Sequence, residues 1–248
     1  MPRFVAAPAS SEGLRTWLES PLGATLLAAE RERLQPCLSR MFGYHLVQVG
    51  CTHDPELLAA SPIKHRVLLG EDHGAGPLTL QGSPEALPLA TGSVDVVALL
   101  HALEFSRQPH EILREAYRAL IPEGRVVITG FNPWSLWGVR RLARRGAVPW
   151  SGRFLSVNRL KDWLALLGFE LDEVQTLLFR PPLRRHGMMA RLDFLERYGA
   201  RWWSALGGAY VVVARKRVIP LIPIKPRWRP RRAMIPSGLT EPTTRNQS

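Results

Sequence analysis

Residues 94–130 read VDVVALLHALEFSRQPHEILREAYRALIPEGRVVITG, and their pattern decides the fold. VDVVALL (94–100) is apolar almost throughout, as expected of a strand covered on both faces of its sheet. Pro109 suits a first helical turn. Ile112, Leu113, Ala116, Tyr117 and Leu120 then recur at helical spacing as one apolar stripe. IPEG ends the helix, and RVVITG (125–130) is a second buried strand. Strand, helix, strand at this spacing is a βαβ unit, which implies parallel strands joined by a right-handed crossover. The two strands should therefore lie side by side.

The same alternation extends both ways. Residues 11–43 are helical with breaks: Leu14, Trp17 and Leu18 share one face, and Leu26, Leu27, Leu34 and Leu38 recur after Pro21. YHLVQVG (44–50) and HRVLLG (65–70) are short strands ending in Gly, and PLTLQG (77–82) offers a third. SVNRLKDWLALLGF (156–169) is a helix capped by Ser156 or Asn158 and stopped by Gly168. Residues 169–179 form a strand, 188–206 a helix, and AYVVVARKR (209–217) a final strand that pairs antiparallel with a neighbour. Alternating strands and helices predict a three-layer α/β domain. The expected division is an N-terminal helical segment at 1–40, the α/β domain at 41–217, and a basic, Pro-rich tail at 218–248.

Composition narrows the classes. With 248 residues, 46% hydrophobic and 22% charged, the chain is neither wholly disordered nor an integral membrane protein. No stretch reaches the roughly 18 apolar residues of a spanning helix, and MPRFVAAPASSEGLRTW has no apolar signal core. Cys37 and Cys51 cannot make a zinc site alone, so no metal is expected, and the reading is a reducing cytoplasm. Charge is uneven. Residues 1–133 carry 11 Lys and Arg against 14 Asp and Glu, whereas residues 134–248 carry 22 against 7. In RKRVIPLIPIKPRWRPRR (215–232) there are eight basic residues, no acid, and Trp228 between two arginines. That pattern suits a phosphate backbone and a stacked base, or a solvated arm.

Residues 87–130 taken together resemble the second half of a class I S-adenosylmethionine-dependent methyltransferase of the type 11 group. The residues that carry the resemblance are Leu87-Pro88-Leu89, Ser93-Val94-Asp95, Arg114-Glu115, Arg118, Leu120, Pro122 and Gly124. It implies a Rossmann-like three-layer sandwich, mostly parallel with an antiparallel strand near the C-terminus, and S-adenosyl-L-methionine as cofactor. In such a domain LVQVGCTHD (46–54) is the cofactor loop, with Val49, Gly50 and Cys51 against the ligand. Gln48 stands where the family carries an acid, and Thr52 and Asp54 stand where it carries later glycines. The resemblance also implies that Glu71 or Asp72 grips the ribose and that Ser83 or Glu85 reads the adenine. FNPWSLWG (131–138) resembles a stretch shared by a small bacterial branch of methyltransferase-like proteins.

Each of these residues also has a bland role. Asp95 can cap its strand, and Glu115 and Arg118 can pair on a solvated face. His101 and Glu104 follow the strand at 94–100, where open α/β sheets bind ligands, and can position a substrate proton or act as base; His101 can equally support its loop. Asn132 brings a donor and an acceptor beyond the next strand. Trp134 and Trp137 offer stacking surface, unless a Trp plugs the core. Two functions follow: methyl transfer to an acceptor, small molecule or macromolecule, oriented by His101, Glu104 and Asn132; or a non-catalytic module that binds nucleic acid or an acidic partner through its basic half.

Overall fold

The computed structural model describes residues 11–50, 55–71, 79–143, 148–182, 196, 199 and 203–218. Cys51, most of the expected helix at 188–206, and the tail beyond Val218 lie outside the described residues. Two helices, α1 (Ser11–Leu18) and α2 (Pro21–Leu38), lead into β1 (His45–Gly50). A single 3-10 turn, Pro55–Leu58, separates β1 from β2 (His65–Gly70), and β3 is only Leu80–Gln81. Then come β4 (Val94–Leu100), α3 (Pro109–Ala119), β5 (Leu120–Phe131), α4 (Leu136–Ala143), α5 (Val157–Leu167), β6 (Phe169–Leu177) and β7 (Ala209–Lys216).

The strands form one sheet in the order β3-β2-β1-β4-β5-β7-β6. The first five are parallel, and β7 runs antiparallel to both β5 and β6. The expected adjacency of the βαβ strands holds: Val96 pairs with Arg125 and Leu100 with Thr129. β5 begins earlier than its apolar run suggests. The register shifts between Val94 and Val96, so Leu120 already pairs with Val94 and the PEG turn sits inside the strand as an irregularity.

Side chains alternate between the two faces of the sheet, and each face builds its own core. Leu46, Val96, Ala98, Leu100, Val127 and Val211 pack beneath α1 and α2, with Trp137, Trp150 and Phe154. Val47, Val49, Val97, Leu99, Val126, Ile128 and Val212 pack beneath α3 and α5. Helices on both faces explain why β4 reads as a nearly unbroken apolar run, since neither side of it meets water. Each such fully buried aliphatic side chain contributes about 1.5–3 kcal/mol of transfer free energy.

The residues that carry the family resemblance turn out to brace loops. Asp95 Oδ2 accepts from the backbone N–H groups of Tyr44 (3.0 Å) and His45 (2.9 Å), fixing the entry to β1 rather than capping β4. Glu115 and Arg118 do pair (2.8 Å), but they also hold the approach to β4. Glu115 accepts from Leu87 N, and Arg118 donates to the carbonyls of Leu87 and Leu89. α5 is delimited as its sequence requires: Ser156 Oγ accepts from Arg159 N (3.3 Å), and Gly168 takes the left-handed conformation at φ +89. Ser156→Ala should cost about 1 kcal/mol in urea denaturation. A loss below the error of the fit would show that the helix is held by its packing alone.

Candidate functional site

The chain leaves β1 toward β2 and β3 on one side, and β4 returns on the other, so the strand order reverses between β1 and β4. Ligands in open α/β sheets settle beyond the carboxyl ends of the strands at such a reversal. Gly50 ends β1 there and pairs with Leu100, the last residue of β4. Its φ is +137, and a Cβ at this position would stand 2.1 Å from the Leu100 carbonyl oxygen. The glycine is therefore required by the neighbouring strand itself, before any ligand is considered. Val49 is buried in the core under α3 and α5, which leaves its backbone to face the crevice.

One strand over, Glu71 follows directly on β2 and is exposed. Ser83 Oγ donates to its Oε1 (3.4 Å), and Gln81 Nε2 donates to its carbonyl (3.0 Å). Glu85 accepts from Ser106 Oγ, in the loop that follows β4. Glu71, Ser83 and Glu85 thus form a polar rim across the ends of β2 and β3, tied to the loop after β4. Asp72 lies outside the described residues.

Beyond β4 the picture is different. His101 and Glu104 are 0% and 2% exposed, and α2 closes over His101. Glu30, from the middle of α2 and 1% exposed, completes the group. His101 Nε2 lies 2.7 Å from Glu30 Oε1, and Nδ1 lies 3.2 Å from Glu104 Oε1. Burial alone would lower the imidazole's pKa, but the two carboxylates outweigh it and push it up to about 10. At neutral pH the ring is an imidazolium, both N–H groups donating to carboxylates. Glu104 Oε1 also accepts from Phe131 N (2.7 Å). The other oxygens of Glu30 and Glu104 have no hydrogen-bond partner among the described residues. Burial, and then the Glu104 carboxylate, raise the neighbouring Tyr210 hydroxyl well above its ordinary range. His101 itself sits at φ +51, an unusual conformation for a residue with a side chain, fixed here from both ends of its ring.

The segment after β5 splits its aromatic residues. Trp137 is 0% exposed and Trp134 is 73% exposed. Trp137 stacks on Phe131 at 6.0 Å between centroids and donates Nε1–H to the Arg180 carbonyl (3.0 Å), so it plugs the core. Asn132 shapes the turn: its Oδ1 accepts from Trp134 N (3.1 Å), and its Nδ2 donates to the carbonyls of Ala205 (2.7 Å) and Gly207 (3.0 Å). Asn132 and Trp134 form one wall of a cleft of about 390 Å³ at the carboxyl ends of β5 and β6. The opposite walls include Lys161 of α5, Thr176 of β6 and Leu206.

Of the three residues expected to orient an acceptor, only Asn132 borders an open cleft, and its amide is occupied by the chain itself. Glu30 was not singled out in the sequence. Its signal was there: a carboxylate at the four-residue spacing of Leu26 and Leu34, on the stripe that must be buried. Arg125 pairs with Asp172 and, in the basic half, Arg215 pairs with Glu123 and Glu170, and Arg217 with Glu170. The described basic residues near β7 are thus largely met by carboxylates.

The sheet order, with an antiparallel strand inserted next to the last, defines a class. A family model described as a methyltransferase domain matches residues 48–128. The chain carries the fold of the class I S-adenosylmethionine-dependent methyltransferases. The chain belongs to one family with uncharacterized protein YafS of Escherichia coli (strain K12). The two are 34% identical over 223 residues, covering 89% of this chain and 86% of YafS. An S-adenosylmethionine-dependent methyltransferase of Thermotoga maritima shares the fold with a TM-score of 0.58 and 21% identity, over 79% of this chain and 91% of that one. Another, from Mesorhizobium loti, gives a TM-score of 0.52 and 16% identity, over 80% of this chain and all of that one.

Proposed function

We propose that this protein transfers a methyl group from S-adenosylmethionine to an acceptor held beyond the carboxyl ends of β4 and β5. The observation that carries the reading is the strand order β3-β2-β1-β4-β5-β7-β6, which opens a crevice between β1 and β4. The residues around that crevice fit the cofactor. Glu71 presents an exposed carboxylate one strand from Gly50, suited to a ribose diol, and Ser83 and Glu85 offer a hydroxyl and a second carboxylate to an adenine. Gly50 brings bare backbone to the crevice, together with the backbone of Val49; Cys51 is assigned here by position only.

The cofactor supplies a methyl group already activated on a sulfonium, so the protein's share is chiefly alignment and exclusion of water. His101 does not take up a substrate proton in this arrangement, because it is buried and both its ring nitrogens are engaged by carboxylates. It clamps α2 onto the loop after β4, and Glu104 ties that loop to Phe131 at the end of β5. Asn132 fixes the turn that carries Trp134. The three residues first expected to work on the acceptor are, in this reading, the frame that positions it.

Calorimetric titration tests the proposal. Both S-adenosylmethionine and S-adenosylhomocysteine should bind, and Glu71→Gln should weaken both about tenfold through loss of a charge-assisted hydrogen bond. No heat at millimolar cofactor would remove the enzyme reading.

A further inference from the structure

The cleft at the ends of β5 and β6 lies apart from the crevice between β1 and β4. Trp134 stands at its edge with its ring in solvent, yet its backbone is pinned by Asn132, so the ring is presented rather than loose. Asn132 in turn grips the carbonyls of Ala205 and Gly207, which fixes the facing wall that carries Leu206. Val157 and Val174 add apolar lining. Lys161 lines this space, and no carboxylate among the described residues pairs with it or lines the cleft. At the opposite ends of β5 and β6 the basic side chains meet acids, as Arg125 meets Asp172 and Arg217 meets Glu170. A cation without an acid among the described residues, beside a rigid exposed indole and an apolar wall, is a complementary surface for one kind of molecule.

We propose that this cleft binds a flat unsaturated ring bearing a carboxylate or a phosphate, the ring against Trp134 and the anion on Lys161. Resting on the methyl-transfer reading, the group so bound is the recognition end of the methyl acceptor. The sheet sets the spacing. Gly50 pairs with Leu100, Leu100 with Thr129, Gly130 with Tyr210, and Tyr210 with Thr176. Gly50 and Thr176 are thus four strands apart, roughly 19 Å across the sheet at ~4.8 Å per strand. An acceptor anchored here extends toward β4 to reach the cofactor crevice.

The test uses the full-length protein and three indoles that share a ring and differ in charge: indole-3-acetate, indole and tryptamine. 1-Naphthyl phosphate beside 1-naphthoate separates a phosphate from a carboxylate preference. Affinities are read by calorimetry or ligand-observed NMR. Indole-3-acetate should bind about tenfold tighter than indole, and tryptamine weaker than both. Lys161→Gln should erase the gap between acid and neutral ring, whereas Trp134→Ala should weaken both about tenfold. Neither residue is in the core, so both variants should melt with the wild type. Equal binding of the three indoles, no binding at millimolar concentration, or a Lys161→Gln protein that keeps the gap would each overturn the inference. The cofactor titration is independent: cofactor binding without ring binding sinks this inference alone, and ring binding without cofactor binding sinks the methyl-transfer reading alone.

Discussion

Replacing Glu30 with alanine should lower the unfolding free energy by about 3–5 kcal/mol, far more than an ordinary surface glutamate would cost. The substitution leaves an imidazolium in the interior with Glu104 as its remaining carboxylate. Removing all three charges at once should be milder. A Glu30→Leu, His101→Leu, Glu104→Gln triple variant leaves no buried charge, keeps an acceptor for Phe131 N and should recover much of the loss, so the substitutions are strongly non-additive. The pH dependence has a definite sign. His101 is raised from its ordinary 6.5 to about 10, so its stabilisation is fully present below pH ~6.5 and is lost as pH rises toward 10. Urea midpoints should therefore decline across that alkaline window, with a slope approaching 1.4 kcal/mol per pH unit at most. The decline should flatten in His101→Leu. A Glu30→Ala protein within 1 kcal/mol of wild type would mean that α2 is not sealed over the loop after β4.

Gly50→Ala should be nearly as damaging, and for a reason unrelated to any ligand. One added methyl would stand 2.1 Å from the Leu100 carbonyl oxygen, and that atom is backbone in a central strand and cannot swing aside. The φ of +137 adds strain for any side chain. The expected outcome is a loss of at least ~3 kcal/mol, or an insoluble protein, read by circular dichroism and urea titration. Loss of cofactor binding in this variant would consequently say nothing about the crevice, which is why Glu71 is the better probe. A Gly50→Ala protein that melts within a few degrees of wild type would show that β1 and β4 can part at their ends without cost.

The fold was legible in the sequence where local pattern and long-range packing demand the same residues. β4, α3 and β5 announce themselves because both faces of the sheet are covered, and α5 carries its own stop signals in Ser156 and Gly168. The start of β5 was not legible, because Pro122 and Gly124 read as a turn while the structure runs the strand through them. The candidate site was only partly legible. Trp134 lies in the turn before α4 and Trp137 inside the helix, and only the docking of α4 on the sheet decides that Trp137 is the buried one. His101 and Glu104 were visible as polar residues after a strand, but Glu30 lies 71 positions from His101 in the chain. No spacing rule links two such residues; only the packing of α2 on the sheet does.

The position of β7 bears on how this protein is made. β5 and β6 are not hydrogen-bonded neighbours in the sheet; both pair with the last of the described strands, and Arg125 waits for Arg215. On the ribosome, some 90 residues separate the appearance of β5 from that of its partner. Throughout that interval an apolar strand edge has nothing to pair with, the situation that invites association between nascent chains. The sheet closes like a drawer pushed into an open slot, and a chain that stalls before Ala209 carries that slot exposed.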